Sequence, residues 1–184
     1  MIRLNLYAFL TGVYLALLEF GYFLILELNV SSTYVTYMIV VSCWMVGAVT
    51  GLWWKRITLT QGLIVGLAGY YGVTYLVTLY PYSRATLVVA AVGVWLAGLW
   101  AGRFFLATFK HFKRADTLFF HENNGFLVGI VGLMVGFTTL GRPFLVWAPL
   151  GCAAAIVALN AIGKRHQNNT AEPATETSGT GGLR

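Results

Sequence analysis

Six long apolar stretches constrain the fold of this chain more than any other feature. A helix needs about 20 predominantly apolar residues to cross the roughly 30 Å hydrocarbon core of a bilayer. The sequence therefore predicts an all-α, polytopic membrane protein, a compact bundle of six transmembrane helices. The expected spans are Leu4–Leu26, Tyr34–Trp54, Thr60–Tyr80, Ala85–Phe109, Gly125–Leu140 and Pro143–Ile162. The fifth span is short, and a start nearer Phe119 is a second interpretation.

Lysine and arginine are distributed unequally between the two sets of helix ends. Basic residues mark the cytoplasmic side of membrane proteins, so both termini are expected in the cytoplasm, with the chain in a cell membrane of the bacterial inner-membrane type. The opposite side holds only Arg84 and Arg142. The net charge of +6 then reflects orientation and anionic-lipid contact rather than nucleic-acid binding. The expected cytoplasmic anchors include Lys55, Arg56, Arg103, Lys110, Lys113 and Arg114.

Residues 166–184 are rich in Thr, Gly and Asn and have no apolar periodicity. A segment of this composition cannot bury enough apolar surface to fold. We therefore expect residues 1–165 to form the membrane domain and residues 166–184 to form a disordered cytoplasmic tail.

The sequence contains no motif that predicts an enzyme or a cofactor protein. Cys43 and Cys152 stand singly in different spans, and the histidines lie outside the spans. The pair His121-Glu122 is not followed by a second histidine at the spacing of a zinc protease, and no Walker A sequence is present. We expect a non-enzymatic protein with no catalytic residue, no metal and no cofactor.

Glu19 is the acidic residue that lies deepest in a predicted span. An ionised side chain at the bilayer centre costs about 2.5–3.5 kcal/mol on insertion scales, so Glu19 is expected to face the bundle interior. Arg103 lies too near the inner end of its span to pair with it, and its long side chain is expected to reach the cytoplasmic interface. Glu19 is then either a ligand or proton site, or the acceptor of a structural hydrogen bond from Thr74 or Tyr75.

A stripe of hydroxyl groups follows one face of the third span. Tyr71, Thr74, Tyr75 and Thr78 are spaced i, i+3, i+4 and i+7, so they share a helical face. Such a face either lines a cavity or bonds to neighbouring helices and to the carbonyl one turn back. Together with Glu19, these residues are the candidates for a substrate or proton pathway.

Glycines recur at four-residue spacing in several spans. Small residues allow the close backbone approach that holds helices together in lipid. The spacing fits packing inside one bundle and packing against a second copy or another protein. The candidate packing residues are Gly47, Gly51, Gly98, Gly102, Gly125, Gly129, Gly132 and Gly136.

Two stretches of the chain resemble the membrane region of spermidine-synthase-like membrane proteins. The first is "YLALLEFGYFLILELNVSSTYVTYMIVVSCWMVGAVTGLWW", with Glu19, "SSTY" and the pair Gly47 and Gly51 as the matching elements. The second is "NNGFLVGIVGLMVGFTTLGRPF". That membrane region is itself similar to half of a major-facilitator transporter. The segments "GLWWKRITLTQG" and "LWAGRFFLA", the latter with Arg103, resemble the basic loop and the Arg-containing segment of that superfamily.

The chain also departs from this family pattern. Leu24 stands where the family often has an arginine, and no acidic residue lies between Gly51 and Lys55. The soluble aminopropyltransferase domain of the family has no counterpart in the sequence. The resemblance therefore implies a half-major-facilitator-like membrane module without the synthase activity.

These features predict a small transporter-like module that acts in the bilayer as a homo-oligomer or with another membrane protein, on a small cationic solute. An accessory or scaffold subunit of a larger membrane complex is the alternative. A membrane partner of a separately encoded spermidine-synthase-like enzyme is a further form of that alternative.

Overall fold

The computed structural model describes residues 2–30, 34–54, 56–112 and 114–171, and its regular elements are all helical. They are α1 (Ile2–Asn29), α2 (Tyr34–Trp53), α3 (Leu59–Leu79), α4 (Arg84–Thr108), a 3-10 turn (Phe109–His111), α5 (Ala115–Leu140) and α6 (Arg142–Ala171). In this described part of the chain, six helices are long and apolar enough to cross a membrane. The predicted all-α chain with six candidate spans is confirmed, and it supports a multi-pass membrane protein.

Local chemistry explains several helix boundaries. Helix α3 begins after Thr58, whose Oγ1 accepts a 3.2 Å hydrogen bond from the Gln61 N–H while Gln61 Oε1 accepts a 3.0 Å bond from the Thr58 N–H. This reciprocal pair is a capping box, which satisfies two backbone donors at the helix start. The short link between α5 and α6 is made by Gly141, whose φ of +67° is a left-handed conformation that favours glycine.

Helices α5 and α6 extend furthest beyond the bounds that hydropathy indicates. Helix α5 begins at Ala115 rather than Gly125, and Asp116 in its first turn accepts a 2.8 Å hydrogen bond from the Thr117 N–H. A carboxylate there is favourable because the first N–H groups of a helix lack partners. Helix α6 continues to Ala171, so residues 166–171, assigned to the disordered tail by composition, are helical. Residues 172–184 lie outside the described part of the chain.

Helix α1 is the centre of the bundle. It packs against each of the other five helices. Residues 14–18, a full turn of α1, are at most 5 % exposed, so the helix is buried on all sides rather than along one stripe. Its most extensive partner is α5, whereas α2 and α3 both pack on α4.

Glycines bring the closest helix pairs into backbone contact. A Cβ added to Gly102 would overlap the Ala48 carbonyl of α2, and a Cβ added to Gly125 would overlap the Phe9 carbonyl of α1. By contrast, a Cβ on Gly132 would meet no atom within 4 Å. The other candidate glycines that face a neighbouring helix are Gly47, Gly51, Gly98, Gly129 and Gly136.

We predict that Gly125→Ala lowers the free energy of unfolding by about 1–3 kcal/mol, the usual range for overpacking a close contact. The control is Gly72→Ala in α3, where an added Cβ would meet no atom within 4 Å, and it should leave stability unchanged or raise it by up to about 1 kcal/mol through helix propensity. Thermal unfolding of both purified variants in one detergent, followed by circular dichroism, measures the difference. Equal changes in melting temperature in the two variants would contradict the close contact between Gly125 and the backbone of α1.

Candidate functional site

Glu19 lies on the side of α1 that faces α5. Gly12, Ala16 and Glu19 are spaced i, i+4 and i+7, so they share one face of α1. A Cβ on Gly12 would overlap the backbone of α5, and the Ala16 methyl lies against Gly129 of that helix. Glu19 itself is half-buried. Within the described residues, its carboxylate has no hydrogen-bond or ion-pair partner, so the alternative of a structural hydrogen bond from Thr74 or Tyr75 is not formed.

A second acidic residue, Glu122, lies on the same helix contact. It is only 6 % exposed, and its side chain has no hydrogen-bond or ion-pair partner in the described part of the chain. The Glu122 carbonyl is the atom that a Cβ on Gly12 would overlap. Since 7 residues separate Gly12 from Glu19, the two acids are offset by roughly 10 Å along the helix pair. We call this contact, with both acids and its glycines, the α1–α5 seam.

Sequence reasoning missed Glu122 because hydropathy started the fifth span at Gly125 and left "HENN" outside it. The alternative, earlier start near Phe119 would have included it. Glu122 is also three residues before Gly125, the glycine that contacts α1. That i, i+3 spacing is the signal that could have placed Glu122 on the same face.

Among the described residues, the expected cytoplasmic anchors do not pair with these acids. Arg103 Nε donates a 2.8 Å hydrogen bond to the Ile57 carbonyl in the α2–α3 connection. Arg114 forms an exposed ion pair with Asp116 at 2.5 Å. Arg56 and Lys110 are exposed, and Lys55 and Lys113 lie outside the described residues. We call the end of the bundle that carries Arg3, Arg56, Arg103, Lys110 and Arg114 the basic end.

The hydroxyl stripe of α3 is mostly bonded to backbone carbonyls. Tyr71 OH donates to the Val146 carbonyl of α6 at 2.6 Å, and Thr74 Oγ1 donates to the Tyr70 carbonyl one turn back at 2.8 Å. Thr78 Oγ1 donates in the same way to the Thr74 carbonyl, also at 2.8 Å. Tyr75 is 65 % exposed on the outer surface. The structure does not bring these four side chains together with Glu19.

A different set of hydroxyls, on α1, lies inside the bundle and was not identified from the sequence. Tyr7, Thr11, Tyr14 and Tyr22 share one face of α1, at spacings of i, i+4, i+7 and i+15. Among the described atoms, the hydroxyl oxygens of Thr11, Tyr14 and Tyr22 are buried and have no hydrogen-bond partner. The periodicity rule that identified the α3 stripe also applies to these four residues. Their pattern is less evident in the sequence because most other residues of α1 are aliphatic.

Tyr70 links α3 to a proline in α6. Pro149 lies inside α6 and has no N–H, so the carbonyl of Leu145, one turn earlier, lacks its usual helical donor. Tyr70 OH donates to that carbonyl at 2.9 Å. Unsatisfied backbone groups are costly in an apolar environment, and Tyr70 therefore allows Pro149 within the helix. The ring of Tyr70 also packs edge-on against Tyr22, with centroids 5.0 Å apart.

No three His, Cys, Asp or Glu side chains lie close enough to hold a metal ion within the described ranges. Comparisons of the chain with protein-family models, with curated proteins and with solved structures find no match. The resemblance to spermidine-synthase-like membrane proteins therefore stays a prediction.

We predict opposite effects for two tyrosine-to-phenylalanine changes in this cluster. Tyr70→Phe leaves the Leu145 carbonyl without a donor and should lower the free energy of unfolding by about 0.5–1.5 kcal/mol. Tyr22→Phe removes a buried hydroxyl that has no partner and should leave stability unchanged or increase it. Thermal unfolding of the two variants provides the comparison. A loss of stability in Tyr22→Phe would mean that its hydroxyl is hydrogen-bonded after all.

Proposed function

We propose that this protein is a non-enzymatic, transporter-like membrane module that binds a small cationic solute along the α1–α5 seam. The observation that carries the proposal is the pair of acids, Glu19 and Glu122, neither of which has a protein partner among the described residues. Intramembrane acids are rare, and they commonly mark ion or substrate pathways.

Electrostatics favours a cation as the missing partner. Burying a carboxylate without a counter-charge is costly, and a buried charge is normally paired or bound to a cation. The bundle has basic side chains, but Arg103 bonds to a backbone carbonyl and Arg114 pairs with Asp116 at the surface. A solute with one or more ammonium groups would provide the counter-charge. Two acids offset along the seam would provide successive binding positions for it.

A second copy of the chain, or a homologous half, completes the proposed pathway. Transporter sites commonly form at the interface between structural repeats, and the half-major-facilitator likeness implies only one repeat in this chain. Support comes from glycines on the outer surface, because a Cβ on Gly132 of α5 or Gly151 of α6 would meet no atom within 4 Å. Such positions allow another helix to approach closely.

We predict that Glu19→Gln and Glu122→Gln each weaken cation binding by about tenfold or more, because each removes a charged contact to the solute. Isothermal titration of the purified protein with polyamines and other small cations measures the affinity. Asp116→Asn is the matched control, since it removes an acid that is exposed and already paired with Arg114. Equal affinities in the wild type and both seam variants would exclude the seam as the binding site.

A scaffold function is the second candidate, and the same outer glycines favour it. Here Gly132 and Gly151 would contact a larger membrane complex, or a separately encoded spermidine-synthase-like enzyme would bind the bundle. Native mass spectrometry of protein extracted gently from its membrane distinguishes the two functions. A homo-oligomer whose cation binding depends on Glu19 supports the transporter-like module. A stable complex with a different protein, unaffected by Glu19→Gln, supports the scaffold.

A further inference from the structure

A cavity of about 360 Å³ opens at the basic end, between the start of α1, the end of α4 and the second half of α6. Its polar lining consists of Arg3, Tyr7, Thr108, His111 and Asn160, and the remainder of the described lining is aliphatic. The volume falls within the range of small-molecule sites, about 300–1,000 Å³. The cavity is separate from the α1–α5 seam, because Tyr7 and Gly12 lie on different faces of α1.

The charge of the cavity is positive. Arg3 carries a guanidinium group, and none of the described lining residues is a carboxylate. A guanidinium has five N–H donors in a planar fork that matches the oxygens of a phosphate. The Arg3 Nη2 donates to the Leu159 carbonyl, which holds the group at the cavity wall, and its other donors have no partner among the described side chains. Lys110, next to His111 in the 3-10 turn, adds a second positive charge nearby.

Gly163 is the residue that allows Arg3 to lie in this position. A Cβ at residue 163 would overlap the Arg3 guanidinium. The side chain of Arg3 therefore crosses α6 where that helix has no side chain of its own. Because the overlap involves the far end of a flexible side chain, a methyl group there would displace the guanidinium without disturbing a backbone contact.

We propose that this cavity binds one phosphate group, with Arg3 as its charge partner and with Tyr7, His111 and Asn160 as further hydrogen-bonding groups. The aliphatic part of the wall favours a phosphate that carries an apolar chain, which is the chemistry of an anionic phospholipid headgroup. A soluble phosphate would bind the same polar groups without using that wall. This site is independent of the cation pathway, because none of its residues belongs to the α1–α5 seam.

The test compares phosphatidylglycerol with phosphatidylcholine as additives to the protein purified in detergent. Phosphatidylglycerol should raise the melting temperature, and Arg3→Gln and Gly163→Ala should each weaken its apparent affinity by about tenfold. Arg56→Gln is the matched control, because it removes an exposed charge from the same end but outside the cavity. Arg3→Lys keeps the charge and should retain part of the affinity. Melting temperatures without lipid show whether each variant is folded.

Each outcome bears on the proposal. A loss of affinity for phosphatidylglycerol in Arg3→Gln and Gly163→Ala, but not in Arg56→Gln, supports the site. An equal loss in Arg56→Gln would overturn it, because the lipid would then respond only to the general charge of the basic end. Inorganic phosphate that stabilises the wild type and competes with phosphatidylglycerol would support the site and identify soluble phosphate as a ligand. No selective stabilisation by either anion would overturn the proposal.

Discussion

Backbone contact at glycine is the interaction on which this bundle depends. Between helices in lipid there is little hydrophobic driving force, because the surrounding chains are as apolar as leucine. Close approach and dispersion must replace it. Here Gly102 of α4 lies against the Ala48 carbonyl of α2, and Gly125 of α5 lies against the Phe9 carbonyl of α1. These contacts fix two helix pairs, and the remaining helices pack around them.

The central position of α1 follows from this arrangement and determines where polar groups can lie. A helix that is buried on every side cannot direct its polar side chains to lipid headgroups along its middle. Tyr14 and Tyr22 are therefore enclosed, and Glu19 faces the seam with α5. One buried polar group without its helical partner is satisfied by a side chain of the core. Tyr70 donates a hydrogen bond to the Leu145 carbonyl, which lacks its helical donor because Pro149 has no N–H. Glu19 and Glu122 have no equivalent compensation within the described residues.

Hydropathy predicts the number of helices because a membrane-crossing helix must be long and apolar whatever its neighbours are. It does not predict which helices pack against each other. Gly47 with Gly51 and Gly125 with Gly129 have the same spacing, yet the first pair contacts α4 and the second contacts α1. Sequence also identifies Glu19, because one charge in an apolar stretch is visible locally. The contact between Arg3 and Gly163 cannot be predicted from a local pattern. The two residues lie in the first and last helices, and they meet only after the helices have packed.

Arg3 and Glu19 carry opposite charges on different faces of α1. This separation is why we propose two different ligands, a phosphate and a cation, for one small protein. Arg3 and Glu19 are both on α1, but α1 is too long and their faces too different for them to neutralise each other. By helix rise, the two residues are about 24 Å apart along the axis, far beyond the roughly 4 Å at which two charged groups form an ion pair. Arg3 and Glu19 therefore do not form an ion pair with each other, and a charged partner of one is separate from a charged partner of the other. A phosphate bound in the cavity at the basic end would pair with Arg3, whereas a cation bound at the α1–α5 seam would pair with Glu19 or Glu122.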